Sequence, residues 1–239
     1  MPGPIKTRLA ARSTVATDVV DLAFAVLEPT PLLFRAGQFV TLTVGSDAAG
    51  NQLRRSYSIA SMSDHGEVLR FLIRVIPGGV ASDFFIRLPL GAEVEMTGPH
   101  GFFVLSDRHP GDVVFAATGT GLAPVLPMLD ELERRPDEPG RRLVYWGLRE
   151  ERDIFLAEEV TAVCARSRAT LATYLSRPTP DWTGARGRIT QPLLAAAPTL
   201  ATPTFYLVGN GAMIAEVKRG LVAAGIDRKK QIRTEAFFD

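Results

Sequence analysis

Apolar and polar residues follow one rhythm in the first part of the chain and another in the rest. Up to about residue 105, short runs such as "VVDLAFAVLE", "GQFVTLTVG", "RRSYSIAS", "EVLRFLIRVI" and "GAEVEMTG" are separated by Gly, Pro, Asp and Asn. Runs of that length, rich in Val, Leu, Phe and Thr, predict an antiparallel sheet closed into a barrel or sandwich. Helical periodicity is nearly absent there. After "LSDRHPGD" the apolar runs become continuous, "VVFAA", "LVYWG", "TLATYL" and "TFYLVG", and each is followed by residues at helical spacing. Strands buried on both faces of a parallel sheet read this way.

Two of the helices are well marked. Leu122, Leu126, Leu129 and Leu132 stand at steps of four, three and three and share one face, with Pro124 tolerated in the first turn. In "GAMIAEVKRGLVAAG", Met213, Val217 and Leu221 line a face, and Gly225 suits a left-handed C-terminal cap. Alternating strands and helices predict a doubly wound parallel sheet over residues 112–239. The polar linker "SDRHPGD" sets the boundary, giving an antiparallel β domain over residues 1–105 and an α/β domain over 106–239. "AAAPTLATPT" reads as a Pro-rich connection.

Composition narrows the function classes. With 239 residues and 46% apolar content, the chain can bury a substantial core and form two small domains. Its 27 basic and 26 acidic residues nearly cancel, so no global field favours nucleic acid or a membrane surface. A single cysteine, Cys164, excludes an intrachain disulfide, a Cys-rich zinc site and a chain-ligated iron–sulfur cluster, and it reads as a small apolar helix residue. No bound metal is expected. The start "MPGPIKTRLA" has no apolar targeting core, and no stretch reaches the roughly 18 apolar residues of a membrane helix. The expectation is a soluble cytoplasmic protein and a monomer.

Chemistry concentrates at turns. In "VVFAATGTGLAP" a buried strand runs into a Gly-rich turn and a helix, where Gly119 and Gly121 let a pyrophosphate approach free N–H groups. Pro124 occupies the place of the usual third small residue. In "FYLVGNGAMI", Gly209 and Gly211 follow a strand at the carboxyl edge, a place for a ligand or an ordinary turn. Arg149, Arg177, Arg186 and Arg188 collect after strands; together they suit a phosphate dianion, singly they suit solvent. In "RRSYSIAS", alternation sends Arg55, Tyr57 and Ile59 to one face and Arg54, Ser56 and Ser58 to the other. Tyr57 could cover an aromatic ligand or be an ordinary cross-strand tyrosine. "RVIPGGVASDFF" adds a Gly-Gly turn with Ser82 close behind, again suited to phosphate.

Taken in order, "RSYS", "RVIPGGVAS", "GPHGFFVL", "GTGLAP", "VGNGAM" and "TEAFF" resemble the ferredoxin–NADP reductase superfamily of flavoproteins over nearly the whole chain, from about residue 6. The likeness is greatest to compact bacterial ferredoxin or flavodoxin reductases. It implies an FAD-binding barrel, an NADP-binding α/β domain, and an enzyme that moves hydride between NADPH and flavin and single electrons to or from ferredoxin or flavodoxin. Arg55 would pair with the flavin diphosphate, Tyr57 would stack on the ring, and Ser58, a catalytic residue, would bond near N5. Gly79 and Ser82 would bind the FAD pyrophosphate, with Ser56, Arg74 and Gly78 as further cofactor contacts. Thr118, Gly119, Thr120, Gly121, Gly209 and Asn210 would serve the NADP nucleotide. Arg149, Arg177 and Arg188 resemble 2′-phosphate-binding positions, which favours NADPH over NADH. Glu235 matches a catalytic-site glutamate, and Phe237 or Phe238 would cover the other flavin face.

One departure stands out. Many relatives carry a cysteine beside the nicotinamide where this chain has Val208, which implies altered packing or rate and the same reaction class. Rival readings are an NAD(P)H-dependent flavin reductase, the reductase component of an oxygenase and, from another class, a non-catalytic flavin or nucleotide sensor.

Overall fold

Six strands build the first unit: β1 (Ile5–Ala16), β2 (Val19–Glu28), β3 (Phe39–Ser46), β4 (Gln52–Ser58), β5 (Val68–Arg74) and β6 (Glu93–His100). All neighbours are antiparallel, in the order β4-β3-β6-β1-β2-β5. Inward residues alternate along β2, β3 and β6, and Leu22, Phe24, Val40, Leu42, Leu69 and Phe71 are at most 2% exposed. Phe24 and Phe71 meet edge to face at 5.8 Å, a geometry worth about 1 kcal/mol beyond the area buried. The sheet closes where β4 runs out: the Ile59 N–H donates to the Gln38 carbonyl, and the Ala60 N–H crosses to the Arg70 carbonyl of β5 at 2.8 Å. The computed structural model describes residues 4–62 and 66–237 and divides into units Met1–Val104 and Leu105–Asp239.

Two elements of this unit depart from the sequence expectation. Strand β1 was not among the anticipated runs, because Thr7 interrupts its apolar face. Thr7 is nevertheless fully buried, its hydroxyl donating to the Val94 carbonyl at 2.8 Å. The segment after the Gly-Gly turn is a helix, α1 (Val80–Arg87), with Phe85 and Ser82 on its buried face. Eight residues are barely two turns, too few for a periodic signal.

The second unit is a parallel sheet of β7 (Val113–Thr118), β8 (Arg142–Leu148), β9 (Ala169–Leu175), β10 (Ala185–Arg186), β11 (Thr204–Asn210) and β12 (Ile232–Phe237), ordered β10-β9-β8-β7-β11-β12. Helices α2 (Val125–Glu133), α3 (Ala157–Arg166), α4 (Thr190–Ala196) and α5 (Gly211–Ala223) accompany it. Leu122 lies on a 3-10 turn, Gly119–Leu122, and Leu126, Leu129 and Leu132 on α2; all four are buried, and Pro124 caps α2. Met213, Val217 and Leu221 form the inner face of α5, and Gly225 has φ +89° just past its end. The connection "AAAPTLATPT" begins with the last two residues of α4 and a 3-10 turn, Ala197–Thr199, and then runs without helix or strand to the start of β11 at Thr204. Cys164 is buried in α3, and burial pushes its thiol up to about 11, which leaves it inert. Among the described residues no helix is long and apolar enough to cross a membrane, and no cluster of His, Cys, Asp and Glu could hold a metal.

Candidate functional site

Strand order selects the place to look. Strand β7 starts the parallel sheet, β8 and β9 extend it to one side, and β11 lies on the other, so the order reverses between β7 and β11. A crevice opens at the carboxyl ends of strands at such a reversal, where ligands of open α/β sheets bind. Thr118 and Gly119 end β7 there, and Gly209 and Asn210 end β11.

The two strand ends are clasped together. The Asn210 N–H donates to Thr118 Oγ1 at 2.8 Å, while Asn210 Oδ1 accepts the Met213 N–H at 3.1 Å and caps α5. Gly209 sits at φ +110°, and a Cβ on it would lie 2.3 Å from Thr118 Oγ1. Gly121 is needed for packing of the same kind, since its Cβ would lie 2.9 Å from the Val208 carbonyl oxygen. Gly119 differs: its φ is +54° and nothing lies within 4 Å of an added Cβ, so its open side is free for a ligand. Trp146, buried on β8, donates its indole N–H to the Gly119 carbonyl at 3.1 Å and pins the turn. Sequence reasoning missed Trp146 because a tryptophan inside "LVYWG" looks like plain core.

The arginines sort into two kinds. Arg186 gives one guanidinium nitrogen to the carbonyls of Thr179, Pro180 and Trp182 and so builds its own loop. Arg149, Arg177 and Arg188 are exposed, and their side chains make no hydrogen bond or ion pair among the described residues. Their backbones are neighbours: the Arg177 N–H donates to the Arg149 carbonyl at 2.7 Å, and the Gly187 N–H donates to the Leu175 carbonyl. Val208 is fully buried in β11, level with Glu235 of β12, and half-buried Phe237 pairs with Asn210. Phe238 lies outside the described residues.

On the barrel, alternation holds through β4. Arg55 and Tyr57 stand opposite Leu42 and Val40 on the core-facing side. Tyr57 packs against that core and meets Phe85 of α1 edge to face at 5.1 Å. Burial, slightly opposed by Arg55, pushes its phenol up to about 12, so the ring stays neutral at working pH. Ser56 faces the other way, its hydroxyl 2.8 Å from that of Thr41, and Ser58 is buried. Arg55 is exposed and its guanidinium reaches the Arg54 carbonyl. Arg74 is ion-paired with Asp18 at 2.8 Å. At the Gly-Gly turn, Gly78 has φ +73° with open space beside it, and Gly79 starts α1 with no side-chain cap. Ser82 is buried, its hydroxyl accepting the Ile76 N–H at 2.8 Å, so it braces the turn while its proton stays available for donation.

Residues 6–105 match the oxidoreductase FAD-binding domain and residues 115–219 the oxidoreductase NAD-binding domain. Ferredoxin–NADP reductase B of Sorangium cellulosum is 31% identical over 236 residues, which cover 95% of each chain. The chain belongs to the ferredoxin–NADP reductase superfamily. As a member it is a flavoenzyme, an oxidoreductase with one FAD-binding and one NAD-binding domain. The reductase component of propane 2-monooxygenase from a Gordonia species is 32% identical over 161 residues, 66% of this reductase and 45% of that longer one. The crystal structure of the Amycolatopsis cytochrome P450 reductase GcoB superposes with a TM-score of 0.86 at 28% identity, over 98% of this chain and 70% of that one. The residues of this reductase fit both cofactors, because each unit has an open left-handed glycine beside a helix or turn start with no side-chain cap.

Proposed function

We propose that the protein takes hydride from NADPH and delivers electrons singly to a ferredoxin or flavodoxin, as a cytoplasmic monomer that engages neither nucleic acid nor membrane. The observation that carries this reading is the set of three arginines at adjoining strand ends, Arg149, Arg177 and Arg188, without side-chain partners among the described residues. A ribose 2′-phosphate is the dianion such a set suits.

In this reading Gly119, Thr120 and Gly121 hold the NADP pyrophosphate, with Thr118, Gly209 and Asn210 shaping the turn beside it. Arg55, Gly78, Gly79 and Ser82 hold the FAD pyrophosphate, and Ser56 and Arg74 flank it. Tyr57 offers an uncharged ring face to the isoalloxazine. Ser58 bonds near N5, Glu235 carries a carboxylate to the reaction site, and Phe237 covers the ring. FAD supplies, when bound, a hydride acceptor that can release electrons one at a time. The protein's part is to orient groups and exclude water, which needs no thiol at Val208.

The reading is tested by recording the absorbance of the purified protein and titrating it without oxygen with NADPH and then NADH. A yellow protein bleached by NADPH at far lower concentration than NADH is expected; a colourless protein, or one neither nucleotide bleaches, overturns it. A second reading, electron delivery to an oxygenase, is favoured by the Gordonia relative. Rapid turnover with an oxygenase component and none with ferredoxin or flavodoxin would select it.

A further inference from the structure

We infer that Arg12 is a positioning residue for the flavin: from β1 it grips the carboxyl end of α1 and so holds that helix's amino end ready for the flavin pyrophosphate. The inference rests on the FAD reading above. One guanidinium nitrogen of Arg12 donates to the carbonyls of Phe85, Ile86 and Leu88 at 2.9, 2.7 and 2.9 Å, reaching across more than seventy residues of sequence. These are carbonyls of the last turn and cap, which have no partner within a helix. All hydrogen bonds of this side chain among the described residues go to α1.

A helix of eight residues does not hold itself together in water. Its amino end has no side-chain cap and begins at two glycines, one of them left-handed; Ser82 braces that end locally through Ile76, and the last turn is where a hold from outside the helix reaches it. A cation at the carboxyl end and a phosphate at the amino end both favour the same backbone dipole. The grip also reaches the ring platform, because the Phe85 that accepts from Arg12 is the Phe85 that meets Tyr57 edge to face. Ser82, tied to Ile76, braces the turn from inside, while Arg12 is a long-range tether from another strand.

The test uses full-length Arg12→Met and Arg12→Lys proteins, stripped of flavin. FAD affinity is read from quenching of flavin fluorescence, and amide hydrogen exchange is followed along the chain. Arg12→Met is expected to weaken FAD at least tenfold and to speed exchange in α1 while the barrel strands keep their protection; Arg12→Lys recovers part of both. Unchanged FAD affinity in Arg12→Met overturns the inference. So does a loss that comes with faster exchange in every strand of the barrel and is equal in both variants, since that marks a general structural role. Failure of the unmodified protein to bind FAD overturns the flavin reading and this inference together, whereas failure of the variants alone to differ overturns only the inference.

Discussion

The two glycine turns of this protein have the same outward form, but only the one in the barrel unit depends on a tether from far along the chain in addition to its local brace. At Gly119 the turn is fixed from immediately beside it: Trp146 holds its carbonyl, Gly121 presses on the end of β11, and Thr118 is bonded to Asn210. At Gly78 the turn opens into a short helix whose far end is held by Arg12. A parallel sheet brings strand ends side by side, so a turn there finds neighbours within one or two strands. A barrel rim does not, and a helix laid on it needs a tether from elsewhere. Identical glycine chemistry therefore has different sensitivities to substitution in the two units.

The largest effect is expected from the exposed arginines at the strand ends of the nucleotide unit. Replacing Arg149, Arg177 and Arg188 together by Ala should cut the preference for NADPH over NADH by on the order of a hundredfold, about 3 kcal/mol. The ratio of kcat/KM values reads this, and the melting temperature should hardly move because the three side chains support nothing else. Next comes Gly121→Ala, whose Cβ would crowd the Val208 carbonyl oxygen. A loss of about 2 kcal/mol in urea unfolding of the nucleotide unit is expected. A neutral result would break the view that this turn is locked by contact.

Smaller effects separate the two open glycines. Gly119→Ala and Gly78→Ala each force a left-handed alanine into open space and should cost about 1 kcal/mol of stability. The first should raise KM for NADPH and leave FAD affinity alone, and the second should do the reverse; nucleotide kinetics beside flavin fluorescence decides it. Smallest is Trp146→Phe, which keeps the ring against Phe155 and removes one hydrogen bond. About 1 kcal/mol or less is at stake, read as a severalfold rise in KM for NADPH with kcat unchanged.

The sequence was most legible where burial is symmetrical. Strands β7, β8, β9 and β11 read directly from continuous apolar runs, and α2 and α5 from leucine and methionine spacing; burial is nearly complete in β7 and β11, while β9 is mostly half-buried. Elements with mixed surroundings were harder. β1 hides a buried hydroxyl at Thr7 whose partner is a carbonyl 87 residues away, and α1 is too short to show a period. β12 was visible only as the motif "TEAFF", since as an edge strand it alternates half-buried and exposed residues. In the site, glycines and arginines were visible because their chemistry is intrinsic. Arg12, Phe85 and Trp146 were not, because their importance lies in which distant backbone or ring they touch.

Alternation along "RRSYSIAS" separates Tyr57 from Ser58, although the family resemblance gives both residues to one flavin ring. Tyr57 and Ser58 do face opposite sides, yet Ser58, Ile59 and Ala60 are all buried in succession as the chain leaves β3 and crosses to β5. Closure of the barrel at this point encloses residues on both faces of the strand end, which a simple two-residue rhythm does not anticipate.

Arg186 carries a consequence for the history of this chain. It ties three carbonyls of its own loop, while Arg149, Arg177 and Arg188 hold none with their side chains among the described residues. In the proposed reading, coenzyme choice is left to side chains on which the fold does not depend. A lineage could exchange one coenzyme for another through a few point changes, each intermediate still folded, and selection could tune that trait without ever testing the scaffold.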